Sequence, residues 1–469
     1  MKDNRRNFLK LSFLAGLGIT NTASARVVTN PLFSPNKKFP GQTFNMSGFA
    51  APKLETVRAG FIGLGMRGPT HLKNLSKLQG VEIKALCDVR NEMVVKSKKL
   101  LEGSKHNPVL YSSGPDDWKK LCEQKDIDIV YIATPWNMHA PMAVYAMEQG
   151  KHAFMEVPAA ITLEECWKLV ETSERTKKHC MMLENCCYDF FELLTLNMAR
   201  QGFFGEIVHT EGAYIHNLLA MNFDKVHSYW DMWRLKENAH RNGNLYPTHG
   251  LGPICQVMNI NRGDKMDYLV SISSADFMMG AKAKELAAKD DFFKPYADNN
   301  FRGNMNTTTI RTSKGKSIMV QHDVSSPNVY SRIHKVTGTK GTALKYPLPG
   351  RISNGGEEWL PEQEVKLLEE KFQPVIVKKV GELAKQIGGH GGMDFLLDWR
   401  TIDCLRNGLP LDMDVYDAAV WSSIAPLSES SVANRSKSID VPDFTNGSWK
   451  TNAPVDILLE KGGTTQVLI

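Results

Sequence analysis

The chain has no apolar run approaching the about 20 residues that a membrane-spanning helix needs, so no transmembrane anchor is expected. Its eight cysteines form no CxxC pair and show no zinc-ligand spacing, so no metal site is expected either. Most of them sit beside apolar residues and read as small core side chains. Charge of one sign is not concentrated anywhere: 57 Lys and Arg stand against 51 Asp and Glu, a formal charge of +6. Without a basic stripe or a recognised binding module, nucleic acid is not an expected partner. Internal repeats and low-complexity tracts are also missing. What remains is a globular composition, 42% apolar and 23% charged, in a chain of 469 residues. That length is too great for one ordinary core and predicts two domains.

The amino-terminal residues read as an address. Arg5 and Arg6, followed by Phe8-Leu9-Lys10, precede a modest apolar stretch from Leu11 to Thr20. Ala23-Ser24-Ala25 then offers a small-residue cleavage pattern, so residues 1–25 are expected to be an export signal. The segment resembles a twin-arginine signal, which directs folded proteins to the periplasm and is not an anchor. Residues 26–55, rich in Pro, Gly, Asn and Ser, read as an arm across the surface.

From Val57 onward short apolar strands alternate with helical stretches, the pattern of a parallel α/β sheet. Strands are expected at 57–62, 82–87, 127–133 and 152–155, with helices at 69–79, 92–103, 116–123, 141–149 and 163–178. This predicts a dinucleotide-binding Rossmann domain over residues 56–185. Beyond it, strands follow one another at 206–215, 268–275, 306–312, 316–322 and 331–337. Residues 186–469 are therefore expected to form an α+β domain with a large, mainly antiparallel sheet. The stretch from Val441 is expected to wrap the fold. A broad open sheet often pairs with a second subunit, and a homo-oligomer stays open.

Gly63-Leu64-Gly65-Met66-Arg67-Gly68 directly follows the first strand and opens a helix. Gly63 permits the tight turn, Gly65 lets a pyrophosphate approach the backbone, and Gly68 allows close packing of helix on strand. The phosphates would rest on the helix N-terminus. Asp88 ends the second strand, 25 residues after Gly63. A carboxylate there accepts hydrogen bonds from ribose hydroxyls and repels a 2′-phosphate, so NAD is the expected cofactor.

Ala133-Thr134-Pro135, His139, Gly150-Lys151-His152 and Glu156-Val157-Pro158 resemble the first domain of the glucose–fructose oxidoreductase and inositol dehydrogenase superfamily. Dehydrogenases of that group carry Glu-Lys-Pro, where the lysine helps move a proton. Here Val157 takes its place, and an isopropyl group neither donates nor accepts one. The chain is closer still to glycoside hydrolase family 109, the NAD-dependent α-N-acetylgalactosaminidases. That resemblance rests on 63–68, Trp136-Asn137-Met138-His139, Glu156–Pro158, Glu184-Asn185, Trp233-Arg234-Leu235, Asn244 to Gly250 and 388–394. It implies NAD contacts from Met66, Arg67, Asp88, Trp136, Asn137, Met138, His139, Glu156, Val157 and Asn185. It likewise implies a sugar site lined by Tyr214, Arg234, Tyr246, Pro247, Thr248, His249 and Tyr330. The family's route passes a hydride from C3 to NAD, removes the acidified C2 proton, expels the aglycone, adds water and returns the hydride.

His249 and Tyr246, three residues apart at a helix start, fall on about the same face. Histidine is a natural acid–base at neutral pH and tyrosine can serve an oxyanion. These two are the expected catalytic pair, assisted by Tyr330. Trp230 and Trp233 suit either a sugar platform or a buried helix face. The Gly388–Gly392 run lacks a phosphate-loop ending and reads as a loop into a helix at 393–406, free to close over the sugar. Asp394 and Asp398, one turn apart, suit either a solvated face or the site. Two other functions are weighed: a periplasmic sugar oxidoreductase, opposed by Val157, and a non-catalytic sugar-binding protein, opposed by the intact glycine turn and Tyr246/His249.

Overall fold

The computed structural model describes residues 41–468; the expected export signal and the first part of the expected arm lie outside them. The first sheet is parallel. Its strands are β1 (Val57–Ile62), β2 (Val81–Cys87), β3 (Val109–Tyr111), β4 (Ile129–Ile132), β5 (His152–Met155) and β6 (Cys180–Met182). They lie in the order β3-β2-β1-β4-β5-β6. The order reverses beside β1, which opens a crevice at the carboxyl ends of β1 and β4 where such sheets bind ligands. β4 and β5 are buried along their whole length, so they read as unbroken apolar runs, as expected for strands covered on both faces. β3 and β6 have three residues each, too few to show a period, and the sequence did not announce them as strands.

One helix begins earlier than its sequence suggests. Pro141 looks like a first-turn proline, yet the helix runs Trp136–Glu148 with Pro135 flanking it. Trp136, Asn137, Met138 and His139 are thus its first turn, beside the end of β4.

The second sheet holds β7 (Ile207–Ile215), β8 (Met266–Ser273), β9 (Asn306–Thr312), β10 (Ser317–Asp323), β11 (Lys335–Gly338), β12 (Thr342–Leu344), β13 (Arg351–Ser353) and β14 (Ile439–Asp440). Its order is β13-β12-β11-β7-β10-β9-β8-β14. All neighbours are antiparallel except β7 and β10. Helices cover one face. Helix Thr248–Val257 lies flush on β7: a Cβ on Gly212 would meet the Gly250 carbonyl oxygen at 2.6 Å, and one on Gly250 would meet the Ala213 nitrogen at 2.5 Å. This close approach sets His249 beside Tyr214.

Helix Met393–Asn407 runs against helix Gly68–Leu75 and is buried on nearly every side. Asp394 and Asp398 are both fully buried, so the solvated-face reading of that pair is wrong. The chain end does wrap the fold: Val467 bridges to Leu78, and the Thr465 carbonyl accepts from Trp399 Nε1 at 3.0 Å. The described part of the arm is tied down by Gln42 to the Tyr416 hydroxyl at 2.7 Å and by the Thr43 amide to Glu174 at 2.8 Å. The eight cysteines are all buried and free. Among the described residues no helix is long and apolar enough to cross a membrane.

Candidate active site

The glycine turn is built as its spacing requires. Gly63 has φ +87°, and a Cβ there would strike the Ala133 backbone at 2.6 Å; one on Gly68 would meet the Gly63 carbonyl oxygen at 2.0 Å. Beside Gly65, by contrast, the nearest neighbour is the end of the Arg90 side chain at 3.3 Å. Helix Gly68–Leu75 starts without a side-chain cap; Pro69 carries no amide hydrogen and the Thr70 amide donates to the Arg67 carbonyl at 3.0 Å, so an anion here would be met by the amides of the turn and of Gly68. Asp88 braces the turn, accepting from the Leu64 amide at 2.8 Å and the Arg90 amide at 2.9 Å. The Arg90 guanidinium donates to the same carboxylate at 3.2 and 3.4 Å, which fills its about four lone-pair directions, so a ribose would take the place of this longer side-chain pair. These features fit NAD.

Next to the turn lies a chain of paired charges. Arg67 donates to Glu156 at 2.7 Å and to Asp394 at 3.0 and 3.1 Å. Asn185 donates to the same Asp394 at 2.7 Å. His390, in the Gly388–Gly392 turn, lies 2.9 Å from Asp394. Behind them His71 bridges Asp398 and Glu156, at 2.9 Å each. Burial by itself depresses an imidazole's basicity, but these two carboxylates outweigh it and push His71 up to about 10. Burial equally opposes ionisation of Glu156, yet Arg67 and His71 hold it well below the usual carboxylate range. Glu156 is therefore an anion locked between cations, and its Val157 neighbour is 4% exposed.

The cluster expected to line a sugar site is assembled differently. Trp136, from the first domain, stacks on Tyr246 at 5.7 Å and meets Trp233 edge-on at 5.1 Å. Arg234 lies in the cage so formed, 4.9 Å from the Tyr246 ring and 5.2 Å from Trp136, with Tyr229 and Tyr214 at 5.3 and 5.8 Å. Its one side-chain hydrogen bond goes to the Tyr229 hydroxyl at 2.9 Å. Its Nη2 is buried with no partner, and among the described residues no carboxylate pairs with it. The His249 ring meets Tyr246 at 4.9 Å and Tyr214 at 5.2 Å, both edge-on. His249 Nδ1 is 2.7 Å from Glu184, which is fully buried. That contact orients the ring and leaves Nε2 for chemistry. Burial pushes the Tyr246 and Tyr214 hydroxyls above the ordinary phenol range, so both stay protonated donors. Glu184, Cys186 and His249 bring possible metal ligands within 4.8 Å of one another. Burial, however, pushes the Cys186 thiol well up, which opposes the thiolate a metal needs.

The fold thus brings Tyr214, Arg234, Tyr246, His249 and Tyr330 together, with Tyr214 and Tyr330 rings 6.5 Å apart. Thr248 is fully buried beneath them and Pro247 precedes the helix. On the cofactor side Met66 and Asn137 are open to solvent. His139 is turned inward, its ring nitrogens 2.7 Å from the Pro158 carbonyl and 2.8 Å from that of Thr134; it shapes the turn instead of facing the crevice. The two tryptophans divide between roles: Trp230 is 49% exposed over Arg90, whereas Trp233 packs on Trp136 and Tyr229. Sequence reasoning missed Glu184 as the partner of His249, Tyr229 as the partner of Arg234, and His71. No local signal marks them. It also missed His216, which follows β7 and holds Nδ1 3.0 Å from the Tyr214 oxygen.

Residues 57–184 match the oxidoreductase family model with an NAD-binding Rossmann fold, and residues 188–451 match the glycosyl hydrolase 109 C-terminal domain. Fold, glycine turn and these matches define the class: a glycoside hydrolase that uses NAD. A protein of Bacteroides fragilis named alpha-N-acetylgalactosaminidase is 50% identical over 417 residues, 88% of this chain and 97% of that one. A glycosyl hydrolase family 109 protein of the same species is 46% identical over 93% of this chain and 95% of its own. The chain belongs to glycosyl hydrolase family 109. Among solved structures, levoglucosan dehydrogenase with NADH shares the fold, with a TM-score of 0.63 at 17% identity over 83% of this chain and 100% of that one.

Proposed function

We propose that this protein hydrolyses terminal α-N-acetylgalactosaminides or closely related hexosaminides. The observation that carries the reading is Arg234, a buried guanidinium with an unpartnered Nη2 and no carboxylate beside it. A lone buried cation is costly, and it is repaid where negative charge develops during reaction. NAD bound on the glycine turn supplies reversible removal of the C3 hydride, which makes the C2 proton acidic. His249, oriented by Glu184, takes the proton of the reacting hydroxyl. Arg234 and the protonated Tyr246 stabilise the enolate oxygen, and Trp136 joins the cofactor crevice to the sugar cage. Val157 supports hydrolysis over net oxidation, since no proton-carrying side chain stands there. The 50% identical relative that bears the galactosaminidase name supports the sugar class.

The test is a panel of aryl N-acetylhexosaminides given to the purified protein without added NAD, with its cofactor content measured. Cleavage by protein that already holds NAD is expected; no cleavage of any member ends the reading. The twin-arginine pattern supports export of the folded, NAD-loaded protein to the periplasm. Cell fractionation with Arg5 and Arg6 changed to Lys tests that: the mature form should vanish from the periplasm.

A further inference from the structure

Trp230 and Trp233 come from the second domain, and each meets a different part of the first. The Trp230 ring lies 5.4 Å from the guanidinium of Arg90, which follows Asp88 past the end of β2. Trp233 meets Trp136 at 5.1 Å, where the helix after β4 begins. In the sheet β1 lies between β2 and β4, and neighbouring strands are about 4.8 Å apart. Segment 230–233 therefore spans about 10 Å of the crevice mouth, past the end of β1 and its glycine turn. Arg90 reaches into that mouth, its Nη2 3.3 Å from where a Cβ on Gly65 would stand. Two residues of the segment are strained: Asp231 has φ +53° and Met232 φ +46°, the left-handed region that residues with a Cβ avoid. Such backbone persists only where its surroundings hold it, and it clusters at ligand clamps. Here the Met232 amide donates to the Tyr229 carbonyl at 2.7 Å, the Met232 side chain is buried, and the Tyr229 hydroxyl accepts from Arg234.

We propose that Trp230–Trp233 is a strap over the cofactor crevice, with Trp230 on Arg90 as the clasp that keeps NAD from leaving. The glycine turn and Asp88 hold the cofactor from the first domain, and the strap supplies a wall from the second. Its Trp233 end is the fixed one, packed on Trp136 and on Tyr229 at 5.3 Å. Its Trp230 end is the one that opens, since that ring is half exposed. Asp88 holds the Arg90 guanidinium only at 3.2 and 3.4 Å, and a ribose that takes this carboxylate leaves the Trp230 ring to hold the cation. The face of an indole attracts a guanidinium through its quadrupole, so the clasp outlasts the exchange of partners on Asp88. The proposed cycle ends with the cofactor in the state in which it began, so a cofactor that left midway would strand the sugar oxidised. The strap itself rests on the NAD site and not on the sugar class.

The experiment measures how fast bound NAD is replaced. The full chain is saturated with NAD, freed of excess and diluted into isotopically labelled NAD, and mass spectrometry of the bound cofactor follows the replacement. Trp230→Ala should speed it at least ~10-fold, within the range of a lost cation–π contact. Trp230→Leu, which keeps apolar bulk but has no ring face, should do the same and stands in should the alanine variant not fold. Trp359 is the control: it is 38% exposed and lies 5.7 Å from Arg351 on β13, a like pair on the second sheet. Trp359→Ala should leave the rate unchanged. Replacement as slow in the Trp230 variants as in the wild type overturns the proposal. Equal acceleration in Trp359→Ala overturns it too, because the fold as a whole would then have loosened.

Discussion

Arg67 and Arg234 sit at opposite ends of one site, and the fold treats them in opposite ways. Arg67 is held by Glu156 and Asp394, with His390 beside it. Arg234 has Trp136 and three tyrosine rings around it, one hydrogen bond to a phenol hydroxyl and, among the described residues, no acid. A guanidinium paired with buried carboxylates fixes geometry, because every lost contact leaves a charge stranded. A guanidinium left unpaired fixes little and waits for charge that appears only in the transition state. The end beside the glycine turn is therefore built to hold its geometry, and the Arg234 end to receive charge, as the proposed reaction requires.

The sharpest way to break this contrast begins at the sugar end. His249→Ala should lower kcat by ~10³-fold, within the range for a lost acid–base group, with bound NAD retained; full activity would remove His249 from the chemistry. Arg234→Leu should cost ~10²–10³-fold in kcat, while the melting temperature holds or rises because a lone buried cation has gone. Unfolding instead would show Arg234 to be structural and erase the difference from Arg67. Arg67→Met should do the reverse. Glu156 and Asp394 would be left without their cation, so bound NAD and melting temperature should both fall in a thermal shift assay, and the residual rate per bound NAD should change less than in Arg234→Leu.

The smallest effect tests the paired network by pH. His71 has a folded pKa of about 10 against 6.5 unfolded. A raised pKa means that its contribution is whole below pH 6.5, shrinks through the window and is gone above about pH 10. Denaturant midpoints should therefore decline from pH 7 to pH 10 in the wild type, and decline less in His71→Gln. Parallel curves would show that the imidazolium does not hold this interface.

Particular residues show where sequence reading reached and where it stopped. The glycine turn, Asp88 and the Tyr246/His249 pair were legible because each lies within one turn or one strand–helix unit. The helix at Trp136 was started too late because Pro141 imitates a first-turn residue. Asp394 and Asp398 stayed ambiguous because a helix carries no mark of what will cover it; helix Gly68–Leu75 and Arg67 decided that. Glu184 and His249 are 65 residues apart, and Arg67 and Asp394 are 327 apart.

The sequence by itself determined the alternation of strand and helix, the φ-positive glycine turn, the carboxylate ending β2 and the family to which the chain belongs. Those are properties of neighbours along the chain. Only the tertiary structure decided that one arginine is clamped and the other left bare, and that His249 has a buried carboxylate behind it. Charge pairing across hundreds of residues depends on which surfaces packing removes from water, and that is settled by the whole fold.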